Sequence, residues 1–452
     1  MASIKFLGAA GTVTGSRFLV TSNSGQRILI DCGLFQGLKN LRLKNWSSFP
    51  VDPREINAVI LSHAHVDHSG YLPKLVKERF DGYIYSTSAT KAQAEILLYD
   101  SAHLKQEEAD YANKKKFSKH EPAIPLYTDE DVRQTMLKFR THKYKEIFHV
   151  GDFTIKFSNA GHILGACSVL VEVDHKKILF SGDIGRVDDQ ILFDPAPAPD
   201  ADILVLESTY GNRLHPKTNP IEAFKDLIRK AIEDKSVILI PSFAVGRAQS
   251  ILYCINQVFE QYPDLRLPAY LNSPMAKSVT ALYEHFVSEL KLSSLECNKV
   301  CHTAKIIQSV EESIELNKQS GPMIIISASG MLAGGRVLHH LKNFGKDPNN
   351  IIVFAGFQAE GTRGATLLRG ERLIKIHGYY HEIQAQIMNF DFFSAHADQE
   401  ELINWVKTMQ TPPKQVYLVH GEPLAADTLR LKLQENLGLN VYVPLDQEER
   451  QI

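Results

Sequence analysis

The residues with the plainest capacity for chemistry stand between positions 63 and 68. His63, His65, Asp67 and His68 are spaced H-x-H-x-D-H directly behind the apolar run NAVILS. Such a concentration of potential ligands just past a buried strand is more than a core can absorb. On a strand, His63 and His65 would share one face, while a turn at Asp67 and His68 would aim those two at a second position. Imidazole nitrogens together with a carboxylate suit zinc. The lack of neighbouring thiolates argues against an iron–sulfur cluster or a structural zinc finger. An isolated H-x-H would read as ordinary surface or core histidines; the longer spacing behind a strand does not.

Ligands placed this way need a rigid frame, and the rest of the chain supplies candidates for it. The first third is β-rich, with IKFLG, RFLVTS, RILIDCG and NAVILSH as short apolar or alternating runs set off by Gly, Asn, Asp and Ser. The opening residues read as two strands around a glycine turn, without the build of a signal peptide. HSGYLPKLVKERF reads as a helix. Residues 87–145 carry mixed charge at helical spacing, including a KKK run at 114–116 that reads as a solvated face. Strands return with FTIKFSNAGH, CSVLVEV, KKILFSGD and ADILVLEST. From about 209 to 390 strands alternate with helices, which implies a mainly parallel sheet with helices on both faces. The tail adds helix EELINWVKTM, strand QVYLVHGE, helix AADTLRLKLQENLG and strand NVYVP.

Composition bounds the function. The 452 residues are 44% hydrophobic and 23% charged, enough for two to three domains with sizeable cores. Lys and Arg number 50 against 52 Asp and Glu, which excludes a polybasic protein that holds nucleic acid by bulk charge. A local basic cleft remains compatible. No apolar stretch approaches the ~18–20 residues of a membrane span, so a soluble protein with no membrane partner is expected. Five cysteines in this length argue against a disulfide framework and point to a reducing, cytoplasmic compartment. The close pair Cys297 and Cys301 reads as reduced structural thiols, since a lone C-x3-C is a poor zinc motif.

H-x-H-x-D-H is the signature of the metallo-β-lactamase superfamily, and further words resemble that superfamily in its order. They are Asp31 in LIDCG, His162 in NAGHILGA, Asp183 in LFSGD and His420 in LVHGE, each at the end of an apolar strand. A narrower resemblance is to the β-CASP nucleases. It rests on Glu207 in LESTYG, His396 in FSAHAD and His420 in HGE. GAAGTVTGS, LYTDEDV, PSFAVGRAQ, NSPMA and SASGMLAGGR extend it over essentially the whole chain. That branch includes the endonuclease subunit of the pre-mRNA cleavage and polyadenylation factor and its bacterial and archaeal relatives. A histidine at the third β-CASP motif is similar to the RNA-directed members. Two departures are that the chain ends soon after His420, without the C-terminal extension of the RNase J type, and starts at the catalytic domain, without an N-terminal RNA-binding extension.

The resemblance implies an α/β fold: an αββα sandwich made of 1–208 and 391–452, with a β-CASP domain of mainly parallel sheet inserted at 209–390. It implies two zinc ions, one held by His63, His65 and His162 and the other by Asp67, His68 and His420, with Asp183 bridging. It further implies RNA hydrolysis at internal positions, by a hydroxide bridging the metals, which Asp67 orients. Asp31 would fix a ligand imidazole by accepting its other N–H. His396 would be the general acid, its ring held and kept protonated by Glu207. The plain alternative for FSAHAD is a helix cap by Ser394 or Asp398.

The second domain would grip single-stranded RNA. SASGMLAGGR places Ser329, Gly330, Gly334 and Gly335 between a strand and a helix, where free backbone N–H groups attract anions. Arg247, Arg336 and Arg363 are the candidate phosphate contacts, against a plain reading as a strand–helix turn with solvated arginines. His377 and His381 in KIHGYYHEIQAQI read as exposed strand residues. The glycine loop at 8–15 lacks the spacing of a nucleotide-binding fingerprint. Two rivals stand beside the ribonuclease. One is a thioesterase or lactam hydrolase on the same scaffold, which leaves the insertion and His396 unexplained. The other is a non-catalytic RNA-binding subunit, which an intact ligand set disfavours. Self-association into a homodimer stays open.

Overall fold

The computed structural model describes residues 2–116, 121–242, 245–273, 275–356 and 358–452. The described chain forms two compact units. One comprises Met1–Leu214 with His396–Ile452, and the other His215–Ala395. Two of the words noted above, PSFAVGRAQ and NSPMA, run through residues 243–244 and 274, which lie outside the described residues.

The first unit is built on two sheets of seven strands. In one, the order is Glu449–Gln451, Ser3–Phe6, Phe18–Thr21, Arg27–Ile30, Ala58–Ile60, Tyr83–Ser86 and Phe139–Thr141. In the other it is Val441–Tyr442, Gln415–Val419, Ile203–Glu207, Lys176–Phe180, Cys167–Val173, Phe153–Asn159 and Ile147–Val150. Period-2 alternation decides what each face meets. Ile28 and Ile30, Ile178 and Phe180, and Tyr417 and Val419 point into one apolar cluster shared by both sheets. Their neighbours Leu29, Leu179, Val416 and Leu418 point the other way, into a cluster with helix residues such as Leu75, Leu98, Trp405 and Leu429. The result is helix, sheet, sheet, helix: the αββα sandwich.

In the second unit all six strands of the main sheet run parallel. The order is Lys305–Ile307, Ala269–Asn272, Met323–Ser327, Val237–Pro241, Ile351–Phe354 and Gln386–Asn389. The central strands Val237–Pro241 and Met323–Ser327 are buried along their whole length. That explains why they read as continuous apolar runs without alternation. Helix Pro220–Asp234 leads into Val237–Pro241, and helix Arg247–Gln261 follows that strand toward Ala269–Asn272.

Three local readings differ from the structure. HSGYLPKLVKERF is not one helix; it breaks at Gly70 and Tyr71 into Val66–Ser69 and Leu72–Lys77. The strand before the ligand motif ends at Ile60, so a shared strand face is not what aligns His63 with His65. Both lie in the loop that leads into helix Val66–Ser69, whose first turn carries Asp67 and His68. His377 is not in a strand either; it sits in the turn between Leu373–Ile376 and Tyr379–Glu382.

Candidate active site

The ligand words meet because loops at strand ends of the first unit are tied to one another through the backbone. Cys32 N–H donates to His68 O at 2.7 Å, and Ser16 N–H to Asp67 O at 2.8 Å. His420 N–H donates to Ala9 O at 2.7 Å, and Gly185 N–H to Ala160 O at 2.8 Å. Two of these approaches tolerate only glycine. A Cβ on Gly33 would lie 1.6 Å from Asp67 O, and one on Gly185 would lie 1.9 Å from Gly161 O. Gly33 thus lets the Asp31 loop rest on the H-x-H-x-D-H segment. Gly185 lets the Asp183 loop rest on the His162 loop.

Against this frame the side chains form two groups. His63, His65, His162 and Asp183 have ligand atoms within 4.8 Å of one another, as do Asp67, His68 and His420. His65 Nδ1 stands 3.2 Å from His63 Nε2 and 3.1 Å from His162 Nε2. Asp183 divides its carboxylate between the groups. Oδ2 lies 3.4 Å from His63 Nε2 and 3.5 Å from His162 Nε2, while Oδ1 lies 3.3 Å from His68 Nε2 and 3.8 Å from His420 Nδ1. Asp67 Oδ2 is 3.4 Å from His420 Nε2.

The outward sides of these rings are held by neighbours. His68 Nδ1–H donates to Asp31 Oδ2 at 2.8 Å. Asp31 also accepts from Ser62 N–H on Oδ1 and from Ser62 Oγ–H on Oδ2, both at 2.8 Å. Ser62 Oγ lies 3.1 Å from His63 Nδ1, and Thr209 Oγ1 lies 3.0 Å from His420 Nδ1. Ser62 and Thr209 were not singled out from the sequence. Their only signal there is that Ser62 adjoins His63 and Thr209 lies in the LEST word with Glu207.

The donor set fits metal ions. Burial, aided by the neighbouring His63, pulls the His65 imidazole down to about 3. Burial also lowers His63 and His162, with His68 and His396 adding to it respectively, so these rings are neutral with lone pairs available. Burial alone would raise the Asp183 carboxyl, but His420, His68, His63 and His396 hold it well below the usual carboxylate range. Asp183 Oδ1 is buried yet has no hydrogen-bond partner among the described residues. Nitrogens bonded at ~2.0–2.1 Å to a common tetrahedral centre stand about 3.3–3.4 Å apart, close to the spacings seen around His65. Lone pairs facing one another at that distance are repulsive unless a cation lies between them.

His396 and Glu207 complete the site. His396 forms an isolated bridge with Gly185, and Ala397 N–H donates to Ile184 O at 2.7 Å. These contacts set the ring beside the imidazole–carboxylate groups, its centroid 4.5 Å from that of His162. His396 Nδ1 is 3.1 Å from Glu207 Oε2, and Glu207 Oε1 accepts from Ile184 N–H at 2.6 Å. Burial works against protonation of His396, but Glu207 and Asp183 outweigh it and the ring is raised above its ordinary value. Asp183, Glu207 and His396 are also close enough to hold a cation together. Asp398 caps helix Gln399–Lys407 through a capping box with Glu401, so the cap is two residues beyond His396 and does not use it.

The remaining candidates belong to the second unit and are tied into its own loops. Arg336 donates to Asn272 Oδ1 at 2.9 Å and to the carbonyls of Ile307 and Gln308. Arg363 donates to the carbonyls of Lys375 at 2.7 Å and Leu332 at 2.8 Å. Ser329 Oγ accepts from the N–H groups of Ala333 at 2.9 Å and Gly334 at 3.3 Å. The Gly334 N–H is therefore engaged by Ser329, whereas the strand–helix turn predicts it free for an anion. Gly330 O accepts from Gln358 Nε2 at 3.1 Å. Arg247 opens helix Arg247–Gln261 and lies against Gly356.

An imidazole–carboxylate cluster of this kind, at one edge of an αββα sandwich, defines a metal-dependent hydrolase. Residues 11–242 match the metallo-beta-lactamase superfamily, 248–367 the Beta-Casp domain and 380–444 the Zn-dependent metallo-hydrolase RNA specificity domain. The chain belongs to the metallo-β-lactamase superfamily and, within it, to the β-CASP family. A ribonuclease of Thermus thermophilus is 37% identical over 422 residues, covering 92% of each chain. An RNase J-like protein of Methanocaldococcus jannaschii is 31% identical, covering 98% of each. The cleavage and polyadenylation specificity factor 73 of Drosophila melanogaster is 30% identical, over 95% of this chain and 61% of that one. A solved structure of a protein of unknown function from Enterococcus faecalis shares the fold, with a TM-score of 0.54 at 14% identity over 99% of both chains.

Proposed function

We propose that this chain is a metal-dependent ribonuclease that hydrolyses phosphodiester bonds of single-stranded RNA at internal positions. The observation that carries this reading is Asp183, whose two carboxylate oxygens serve two separate imidazole groups, with the His396–Glu207 pair alongside. The names of the relatives and the RNA specificity domain matched at 380–444 support RNA as the substrate. The sandwich is read as the catalytic domain, parts 1–208 and 391–452, and 209–390 as the inserted β-CASP domain.

His63, His65 and His162 would hold one zinc ion and Asp67, His68 and His420 a second, with Asp183 shared. When bound, the ions supply Lewis acidity and positive charge at the scissile phosphate. Asp31 keeps the proton of His68 on Nδ1, leaving Nε2 as a donor atom. Asp67 is partly exposed and orients the attacking water through its carboxylate. Glu207 holds His396 by Nδ1, which leaves Nε2–H to protonate the leaving oxygen. The second unit grips the RNA, with Arg247, Arg336 and Arg363, and Ser329 and Gly330 of the glycine loop, along the path of the chain. The five cysteines are buried and none forms a disulfide among the described residues, which supports work in a reducing cytoplasm.

The test is cleavage of internally labelled single-stranded RNA by zinc-loaded protein, with both product ends mapped. Internal cuts that disappear in Asp67→Ala are expected. Intact RNA alongside hydrolysis of a thioester would overturn the reading.

A further inference from the structure

The second unit carries a feature that neither the metal site nor the glycine loop uses. Strands Leu373–Ile376 and Tyr379–Glu382 pair antiparallel, with Ile376 opposite Tyr379. The two residues between them, His377 and Gly378, have φ of +48° and +90°. Positive φ at both central residues is the tight hairpin turn that matches strand twist, so the tip is rigid. Ile374 and Ile376 anchor one face of the hairpin in the unit's core. Tyr379, opposite Ile376, and Tyr380, opposite Lys375, point to opposite faces of the hairpin, and both stay in solvent, 74% and 66% exposed. Exposed tyrosines on a tight turn present flat π-faces on which a base can stack.

The surroundings of the tip are basic. Lys342 Nζ lies 3.3 Å from His377 Nδ1, and the His339 ring is 5.1 Å from the His377 ring. Arg363 Nε is bonded to Lys375 O, and the Lys375 ammonium is 5.9 Å from the Tyr380 ring. Burial lowers the His377 imidazole, and Lys342, His339, Arg363 and His381 beside it act in the same direction. The acidic member of the hairpin, Glu382, sits at its other end, opposite Leu373. Exposed rings beside a cluster of cations are the combination that binds single strands: bases stack on the rings and phosphates meet the charge.

We propose that the 373–382 hairpin is a contact for single-stranded RNA. Tyr379 and Tyr380 stack bases, and Lys342 and Lys375 meet the neighbouring phosphates. The proposal rests on the ribonuclease reading and adds to it a place where the RNA chain is held by its bases, without sequence preference.

The experiment uses the full chain and a fluorescent phosphorothioate oligouridylate, which resists cleavage and exceeds the ~4–16 nucleotides one such surface covers. The doubly substituted Tyr379→Ala, Tyr380→Ala protein should bind it at least about fivefold more weakly, the lower end of one lost base stack. Lys342→Gln with Lys375→Gln should flatten the plot of log affinity against log salt by about 1.4, at ~0.7 per phosphate contact on a single strand. Because all four side chains project from the hairpin or its neighbour helix, metal content should match the unsubstituted protein and certify the fold. Unchanged affinity in the tyrosine variant, with the parent chain still binding and cutting RNA, would overturn the hairpin contact alone. A parent chain that neither binds nor cuts RNA would overturn the ribonuclease reading as well. A tyrosine variant that sediments as a smaller species with unaltered RNA affinity would make the hairpin a self-association surface and overturn the proposal. An unchanged salt slope in the lysine variant would remove the phosphate half of it.

Discussion

Asp31→Asn is the sharpest probe of how the metal ligands are prepared. Asp31 is 1% exposed and its backbone has φ of +58°, a conformation that Asn adopts as readily as Asp. The substitution therefore keeps the backbone and changes the carboxylate, with Ser62 Oγ–H turning away from the new amide nitrogen. Ser62 N–H donates to Oδ1 and will keep the amide oxygen on that side. The amide nitrogen then takes the place of Oδ2, 2.8 Å from His68 Nδ1. A donor there makes Nδ1 the acceptor and moves the ring proton to Nε2, the atom 3.3 Å from Asp183 Oδ1. Nε2 loses the lone pair a metal would use. Replacing a charge-assisted hydrogen bond by a neutral one should cost the fold only ~1 kcal/mol. Metal affinity should fall roughly 10–100-fold, or about 1.4–2.8 kcal/mol. Titrating metal-free protein against a chromophoric chelator measures it, with thermal unfolding of the metal-free variant as the control. Equal affinity in Asp31→Asn and the parent would refute the tautomer argument, because the donor sense at His68 Nδ1 has been reversed.

Other perturbations test separate parts of the site. His396→Ala should slow single-turnover cleavage by roughly 10²–10⁴-fold with zinc content unchanged; loss of zinc in step with activity would make His396 a ligand instead. Glu207→Gln should resemble it in weaker form, since Gln can still accept from Ile184 N–H but no longer holds charge beside His396. Zinc analysis of freshly purified protein should approach two equivalents, and Asp67→Ala should abolish cleavage while circular dichroism stays unchanged. Gly33→Ala should destabilise the first unit by at least ~1–3 kcal/mol and lower metal content, because its Cβ would overlap Asp67 O. Chelation of the metals should lower the melting temperature, ligand at a hundred times its dissociation constant being worth about 2.7 kcal/mol.

The sequence by itself determined the parts that are local. H-x-H-x-D-H behind an apolar strand is a set of ligands within one loop and one helical turn, and that proximity follows from chain connectivity alone. The buried strands of the second unit were legible because parallel strands covered on both faces are apolar throughout. Tertiary structure decided everything that joins distant segments. His396 and Glu207 are 189 residues apart, and they meet only because the His396 loop bridges Gly185 at the edge of the sandwich. The hydrogen bond from Thr209 to His420 spans 211 residues, so no spacing rule could have found it. Short edge strands such as Glu449–Gln451 were missed because partners, not composition, make them strands. Arg336 and Arg363 are candidate phosphate contacts in the sequence, and only the fold shows that part of each guanidinium also donates to loop carbonyls. Charge and side-chain type are properties of the chain; which groups are already engaged is a property of packing, and only the folded arrangement fixes it.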